Sequence, residues 1–364
     1  MKEKIISFPH LGDYHIPIEF LLKKLTNLKV VPSPKITKKT IELGTSKSPD
    51  FVCLPFKYNL GNFIESLENG ANILIQAGGG CRYGYYAEVQ RQILKDLGYN
   101  FEFYTLTNTN KITISSLFNT FKKLNPDIEF HKFAYYTLLT LKMIHYMDKI
   151  DIYIRANIGF EEEKGSFQRI KKKMLNEFKK TKNFTHLLFL YYKYKRIFKK
   201  LKINKPKNCL KVGIIGELYT SMEPFSSYFL EEELAKKNIQ IKRYTNLTYL
   251  LITKKIHTKK MLKYVKDYVH HKIGADGLDN VYRAKKLIEE NYDGIIHIKP
   301  FGCTPEIGAI PIIDKICKKY KMPIIYFSYD TQTSMEGLKT RIEAFYEMLN
   351  MKKENQDGKM LSRN

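Results

Sequence analysis

Three of the five cysteines stand in the same kind of place along the chain. Cys53, Cys81 and Cys303 each sit where an apolar run gives way to Pro or Gly and then to a helical pattern: Phe51-Val52-Cys53-Leu54-Pro55-Phe56-Lys57, Gly78-Gly79-Gly80-Cys81-Arg82-Tyr83-Gly84 and Pro300-Phe301-Gly302-Cys303-Thr304-Pro305-Glu306. A thiol at the start of a helix meets the partly positive helix end, which favours the thiolate and any anionic cluster it binds. Thiolates converging from strand ends make an open-sided metal site. Iron–sulfur clusters usually take four, so a trio leaves one iron open to water, an exogenous sulfur or a substrate oxygen. Glycines beside Cys81 and Cys303 let main-chain N–H groups approach the sulfides. Zinc is an alternative, with His10, His15 or His297 closing a tetrahedral site. Against both stands the plain reading, unrelated thiols in tight loops.

Charged residues gather near the same motifs: Lys57 after Cys53, Arg82 after Cys81 with Glu88 and Arg91 on the following helix, and Glu306 after Cys303. Asp330, Glu336, Arg341 and Glu343 form a comparable group near the end. Most are expected to cap helices or pair on the surface, and Lys57, Arg82 and Glu306 are the candidates for catalytic contact. Cys209 and Cys317 read as ordinary packed thiols, one opening a buried strand and one inside an amphipathic helix. No Walker lysine loop is present, Gly78-Gly79-Gly80 lacks the spacing of a dinucleotide fingerprint, and no Ser-His-Asp or Cys-His arrangement is legible.

The elements that must position these residues alternate. Strand patterns at Lys4–Phe8, Leu28–Val31, Asn72–Ala77 and Phe101–Tyr104 are separated by helical ones at Ile18–Leu25, up to about Gly70, and Tyr86–Leu97. A second series runs from the strand Leu210–Gly216 through a helix Ser226–Lys237, the strand Ile239–Tyr244, a helix around Tyr282–Asn291, and the strands Gly294–Ile298 and Pro323–Phe327, to a last helix Glu336–Leu349. Such alternation predicts an α/β fold with mostly parallel sheets covered by helices. Between the two series the period is helical, Lys- and Tyr-rich, with a strand-like signal only at Ile150–Ile154. The expected organisation is therefore an N-terminal lobe (1–109), a helical insertion and linker (110–207), a C-terminal lobe (208–350) and a flexible tail (351–364).

Ligands of open α/β sheets bind beyond the carboxyl ends of the strands. Cys81 and Cys303 fall there, one in each lobe, so a site between the lobes is the economical expectation. The net charge of +25 reads first as Lys spread over solvated helix faces and second as the mark of an anionic partner, nucleic acid being the weaker version. The start of the chain carries no signal-peptide apolar region, and no apolar stretch approaches the roughly 20 residues of a membrane span. Together with five cysteines in no CxxC pair, this points to a cytoplasmic protein with a metal or redox role.

At these motifs the chain resembles a known family. Cys53-Leu54-Pro55-Phe56-Lys57 with Leu60-Gly61-Asn62-Phe63-Ile64-Glu65, then Ala77 to Tyr86 with Glu88-Val89-Gln90-Arg91, and Lys299 to Glu306 are similar to the acyl-CoA dehydratase activase-related proteins of the 2-hydroxyacyl-CoA dehydratase and double-cubane cluster protein superfamily. The Asp330 region and Thr340-Arg341-Ile342-Glu343-Ala344-Phe345 extend the likeness, which covers about 1–105 and 290–350. The resemblance implies two flavodoxin-like lobes, a cluster held by Cys53, Cys81 and Cys303, and electrons delivered by a separate activator ATPase with its own iron–sulfur cluster. A lone cysteine trio implies one 4Fe-4S cluster rather than a double cubane, in an oxygen-sensitive protein of an anaerobe that passes the electron to a small-molecule substrate or a partner. A non-enzymatic cluster carrier or assembly subunit, in a homo- or heterodimer, is the alternative. A zinc-stabilised anion-binding protein is the third reading.

Overall fold

The computed structural model describes residues 3–78, 81–106 and 113–361, with the main chain alone for Lys255 and residues 356–361. Eight short strands pair into two four-stranded sheets, every pairing parallel. The first series runs β1 (Ile5–Ser7), α1 (His15–Thr26), β2 (Lys29–Val30), α2 (Lys38–Lys47), α3 (Leu54–Glu68), β3 (Ile73–Gln76), a 3-10 turn (Arg82–Tyr85), α4 (Tyr86–Asp96) and β4 (Glu102–Thr105), with strand order β2-β1-β3-β4. Helices α5 (Ile114–Leu124), α6 (Phe130–Asn157), α7 (Ser166–Phe178) and α8 (Phe184–Lys200) follow. The second series is β5 (Lys211–Gly216), α9 (Leu218–Met222), α10 (Leu230–Lys236), β6 (Gln240–Arg243), α11 (Lys254–Tyr264), α12 (Gly277–Glu289), β7 (Gly294–Pro300), α13 (Thr304–Lys319), β8 (Ile324–Tyr329) and α14 (Met335–Leu361), with order β6-β5-β7-β8. The α/β class and the two lobes expected from the alternation are what the fold shows. Each sheet has the order 2-1-3-4 and so reverses between its first and third strands, the flavodoxin-like switch point.

The chain divides into two compact units, Met1–Met147 with Lys172–Lys193, and Asp148–Lys171 with Tyr194–Asn364, so α6, α7 and α8 each contribute to both. In the first unit all four residues of β3 are buried. Helices cover a parallel sheet on both faces, and such a strand reads as an unbroken apolar run. Ile6, Ile73 and Ile75 pack on one face with Phe8, Leu22 and Leu25, while Leu74 lies on the other with Phe56, Leu60 and Phe63. In the second unit Ile215 and Ile295 pack against the buried stripes Leu278/Val281/Leu287 of α12 and Ala309/Ile313/Ile316 of α13.

Helix α3 is unusual in having Leu54 to Ser66 buried throughout. Two glycines allow it. A Cβ on Gly44 of α2 would lie 1.8 Å from the Lys57 carbonyl oxygen, and one on Gly61 of α3 would lie 2.0 Å from that of Thr40. The helices therefore touch backbone to backbone, and Thr40 Oγ1 donates to the buried Glu65 Oε2 across the contact (2.8 Å).

Several local expectations change. Ile150–Ile154 belongs to α6; its β-branched residues continue a helix already nucleated on both sides. The helix expected over Ser226–Lys237 is interrupted, because Tyr228 (φ 52°) and Phe229 (φ 56°) are left-handed and α10 starts only at Leu230. The final helix runs beyond Leu349 to Leu361, and α2, α9 and α11 were not anticipated.

Candidate functional site

In the first unit Cys53 is the N-cap of α3, with extended backbone (φ −73°, ψ 158°), no side-chain capping bond, and Pro55 in the first turn. Its Sγ meets the Tyr86 hydroxyl at the start of α4. Cys81 precedes the 3-10 turn that leads into α4, and its Sγ accepts the Tyr83 N–H (3.5 Å) while its carbonyl accepts the Gly84 N–H (3.0 Å). The Tyr83 and Tyr86 rings are 4.8 Å apart, Tyr86 stands edge-on to Phe56, and Asn59 Nδ2 donates to Tyr83 Oη (2.6 Å). Cys53 thus meets the side chain of Tyr86, and Cys81 the main chain of Tyr83, whose ring packs beside that of Tyr86. Cys81 is exposed and Cys53 half-buried.

In the second unit Cys303 is the N-cap of α13, three residues beyond the end of β7. Gly302 before it is left-handed (φ 75°), a conformation in which a Cβ is strained. Glu306, in the first turn, is wholly buried and fully used: both its oxygens accept from Asn280 Nδ2 (2.9 Å each), and Oε2 also accepts from His297 Nε2 (2.7 Å). Asn280 in turn accepts the Gly216 N–H (3.1 Å) and donates to the Gly216 carbonyl (3.0 Å). One amide therefore ties together the end of β5, helix α12 and the first turn after Cys303, all at the switch point of this sheet. Nearby, Lys299 Nζ donates to Ser328 Oγ (3.1 Å); burial pulls the Lys299 pKa below its usual value, opposed by Cys303 and Glu306. Glu217, just past β5, caps α9 by accepting the Tyr219 and Thr220 N–H groups and the Thr220 hydroxyl. Burial lifts its carboxyl to about 7; those bonds work against the rise and Asp276 adds to it.

All three cysteines of the motifs begin helical turns, as their sequences lead one to expect, and all are free thiols. Cys53 and Cys81 belong to the first compact unit and Cys303 to the second. Gly79 and Gly80 of the Cys81 motif lie outside the described residues. Lys57 is on α3 with 8% of its surface exposed, and Arg82 is exposed in the 3-10 turn. Glu306 sits in a closed buried network. The histidines considered for zinc have local bonds: His297 holds Glu306, His15 Nδ1 is 2.8 Å from the Gly12 carbonyl, and His10 stacks on His15. Asp330 caps its own turn through Gln332 and Thr333, Arg341 donates to the Tyr326 carbonyl, and Glu343 pairs with Lys237. Cys209 and Cys317 are buried, and burial pushes the Cys317 thiol up to about 12. Among the described residues no three His, Cys, Asp or Glu side chains form a group able to hold a metal ion, and no helix is long and apolar enough to cross a membrane.

Sequence reasoning missed Gln76, Asn280 and Glu217. Gln76 ends β3 fully buried, with neither side-chain atom partnered among the described residues; a glutamine closing an apolar strand was the available signal. Asn280 and Glu217 gave none, since their roles depend on segments far away in the chain.

An α/β chain with free thiols at strand ends defines a class, and one comparison narrows it. Residues 235–349 match the family described as 2-hydroxyglutaryl-CoA dehydratase, D-component, so this part of the chain is similar to that family. The matched stretch lies in the second unit, from α10 into α14, and contains Cys303. No curated protein sequence matches the chain.

Proposed function

We propose that this chain is an iron–sulfur subunit of a dehydratase-like system. Cys53, Cys81 and Cys303 would hold one 4Fe-4S cluster with an open iron, in ATP-dependent low-potential electron transfer or reduction served by a separate activator ATPase with its own cluster. The observation that carries the reading is an equivalence. Cys81 and Cys303 follow the third strand of two sheets with the same order, and both begin a helical turn. The donor chemistry fits: the ligands are soft sulfurs at helix starts, where a thiolate is favoured.

When bound, such a group supplies a single electron and a Lewis-acidic iron. The chain's own residues have distinct tasks. The Tyr83 N–H at Cys81 Sγ and the Tyr86 hydroxyl at Cys53 Sγ put hydrogen bonds on sulfur, which draws off charge and raises the reduction potential. Glu306, Asn280 and His297 fix the turn that bears Cys303. Arg82, exposed beside Cys81, is free to meet an anionic group of a substrate or partner.

Anaerobic purification with iron and acid-labile sulfide analysis tests the reading, with Cys53→Ser, Cys81→Ser and Cys303→Ser each expected to lose most of the iron. A colourless protein that stays iron-free after reconstitution refutes it. The exposure of Cys81 favours a second reading, a carrier or assembly subunit; turnover of a small substrate by the protein with activator, ATP and reductant would exclude that.

A further inference from the structure

Lys57 lies four residues beyond the N-cap Cys53, in a helix buried along most of its length. Only 8% of the residue is exposed, and no carboxylate or other polar partner of its ammonium is found among the described residues. A lysine of this kind packs its aliphatic stem and carries its ammonium at the tip. In a helix the Cα–Cβ bond tilts toward the N-terminus and a long side chain lies over the preceding turn. That direction leads from Lys57 back toward Cys53. The start of α3 carries its own partial positive charge, with no acidic residue in the first turn and no side-chain cap.

Two sources of positive charge meet beside Cys53, and among the described residues no carboxylate is paired with Lys57 or stands in the first turn of the helix. We infer that the N-terminus of α3 is an anion site beside Cys53, with Lys57 as the counter-ion, and that it takes a carboxylate of a small molecule. One ammonium and a helix end worth about half a charge suit a single negative charge better than a phosphate dianion. The inference deepens the function proposed above by naming the chemistry of what reaches the Cys53 face.

Alkylation of the cluster-free, reduced full-length chain tests it. The Cys53 thiolate displaces iodide from iodoacetate or from neutral iodoacetamide, forming a C–S bond as the C–I bond breaks, and peptide mass analysis reads each cysteine separately. The iodoacetate-to-iodoacetamide rate ratio is expected to be at least tenfold higher at Cys53 than at exposed Cys81, to saturate with iodoacetate and to fall with added acetate. Taking the ratio cancels any change in thiolate fraction and, through Cys81, the general attraction of a cationic protein. Lys57→Met should erase the preference and Lys57→Arg keep it. Equal ratios at Cys53 and Cys81 in the unaltered protein, which needs no variant to fold, overturn the inference. So does a preference that survives Lys57→Met, and so does inorganic phosphate protecting Cys53 better than acetate. The two proposals fail separately: iron-free protein with the preference intact sinks the cluster alone, and an iron–sulfur protein without it sinks the carboxylate site alone.

Discussion

The place of Cys53 is set by how closely α2 and α3 approach, and that approach can be perturbed by one methyl group. In Gly61→Ala the new Cβ would lie 2.0 Å from the Thr40 carbonyl oxygen, and in Gly44→Ala 1.8 Å from that of Lys57. Ordinary contact begins at 3.4 Å, so the helices must part by more than 1 Å, because a carbonyl held in a helix cannot swing aside. Overpacking of this kind costs about 1–3 kcal/mol. Parting also lengthens the Thr40–Glu65 hydrogen bond, a further loss of about 1 kcal/mol. Alanine returns about 1 kcal/mol in helix propensity over glycine. The net expectation is a loss of about 1–3 kcal/mol for either substitution, and less than the sum for both together, since the second methyl enters a gap the first has opened.

Urea titration followed by circular dichroism measures this, with Gly98→Ala as the control. Gly98 is left-handed (φ 84°) and a Cβ there meets nothing within 4 Å, so its variant should lose only about 1 kcal/mol from backbone strain. If Gly61→Ala and Gly44→Ala prove no more damaging than Gly98→Ala, the backbone-to-backbone packing of α2 on α3 is refuted, and with it the account of what holds Cys53.

Two further outcomes follow from the second unit. Glu306→Ala leaves Asn280 Nδ2 and His297 Nε2 without their buried acceptor, which should cost about 2–4 kcal/mol by the same urea assay; a loss under about 1 kcal/mol would mean the network does not hold the Cys303 turn. Glu217, lifted to about 7 from an ordinary 4.5, keeps in the folded state a proton that the unfolded chain releases, so the stability it contributes is full below the unfolded value and is lost as pH rises through about 7. The difference in stability between the unaltered protein and Glu217→Gln should therefore fall between roughly pH 4.5 and 7.5, by at most about 3 kcal/mol, and parallel pH profiles would contradict it.

How much of this was legible in the sequence depended on whether the determinant was local. The strands of both lobes could be read because buried parallel strands are short apolar runs, as in Ile73-Leu74-Ile75 and Gly294-Ile295-Ile296. The helix starts at Cys53 and Cys303 could be read from the prolines just after them, since proline is favoured in the first turn. The break at Tyr228 and Phe229 could not, since neither residue type announces a left-handed backbone. Helix α2 was hidden for a related reason. Its sequence Lys38-Lys39-Thr40-Ile41-Glu42-Leu43-Gly44 has little apolar face, and what it packs through is the glycine and its own backbone. Glu306 was singled out as a catalytic candidate from its nearness to Cys303, whereas its partners Asn280 and His297 come from α12 and β7 and were beyond the reach of any local pattern.

The three thiols therefore owe their positions to two different kinds of force. Cys81 and Cys303 are placed by topology: each follows a strand locked in a parallel sheet beside its first strand, and a change in side-chain packing cannot move a strand end far without breaking the ladder. Cys53 follows no strand. It is placed by the crossing of α2 on α3, which depends on two hydrogen atoms where other residues have a methyl group, and by the contact of its sulfur with Tyr86. A helix crossing can slide where a sheet register cannot, because a one-residue slip in a sheet would exchange the side chains of its two packed faces. Of the three, Cys53 is then the sulfur whose place small substitutions can shift, and Lys57, on the same turn of α3 and against the same Gly44 contact, would shift with it.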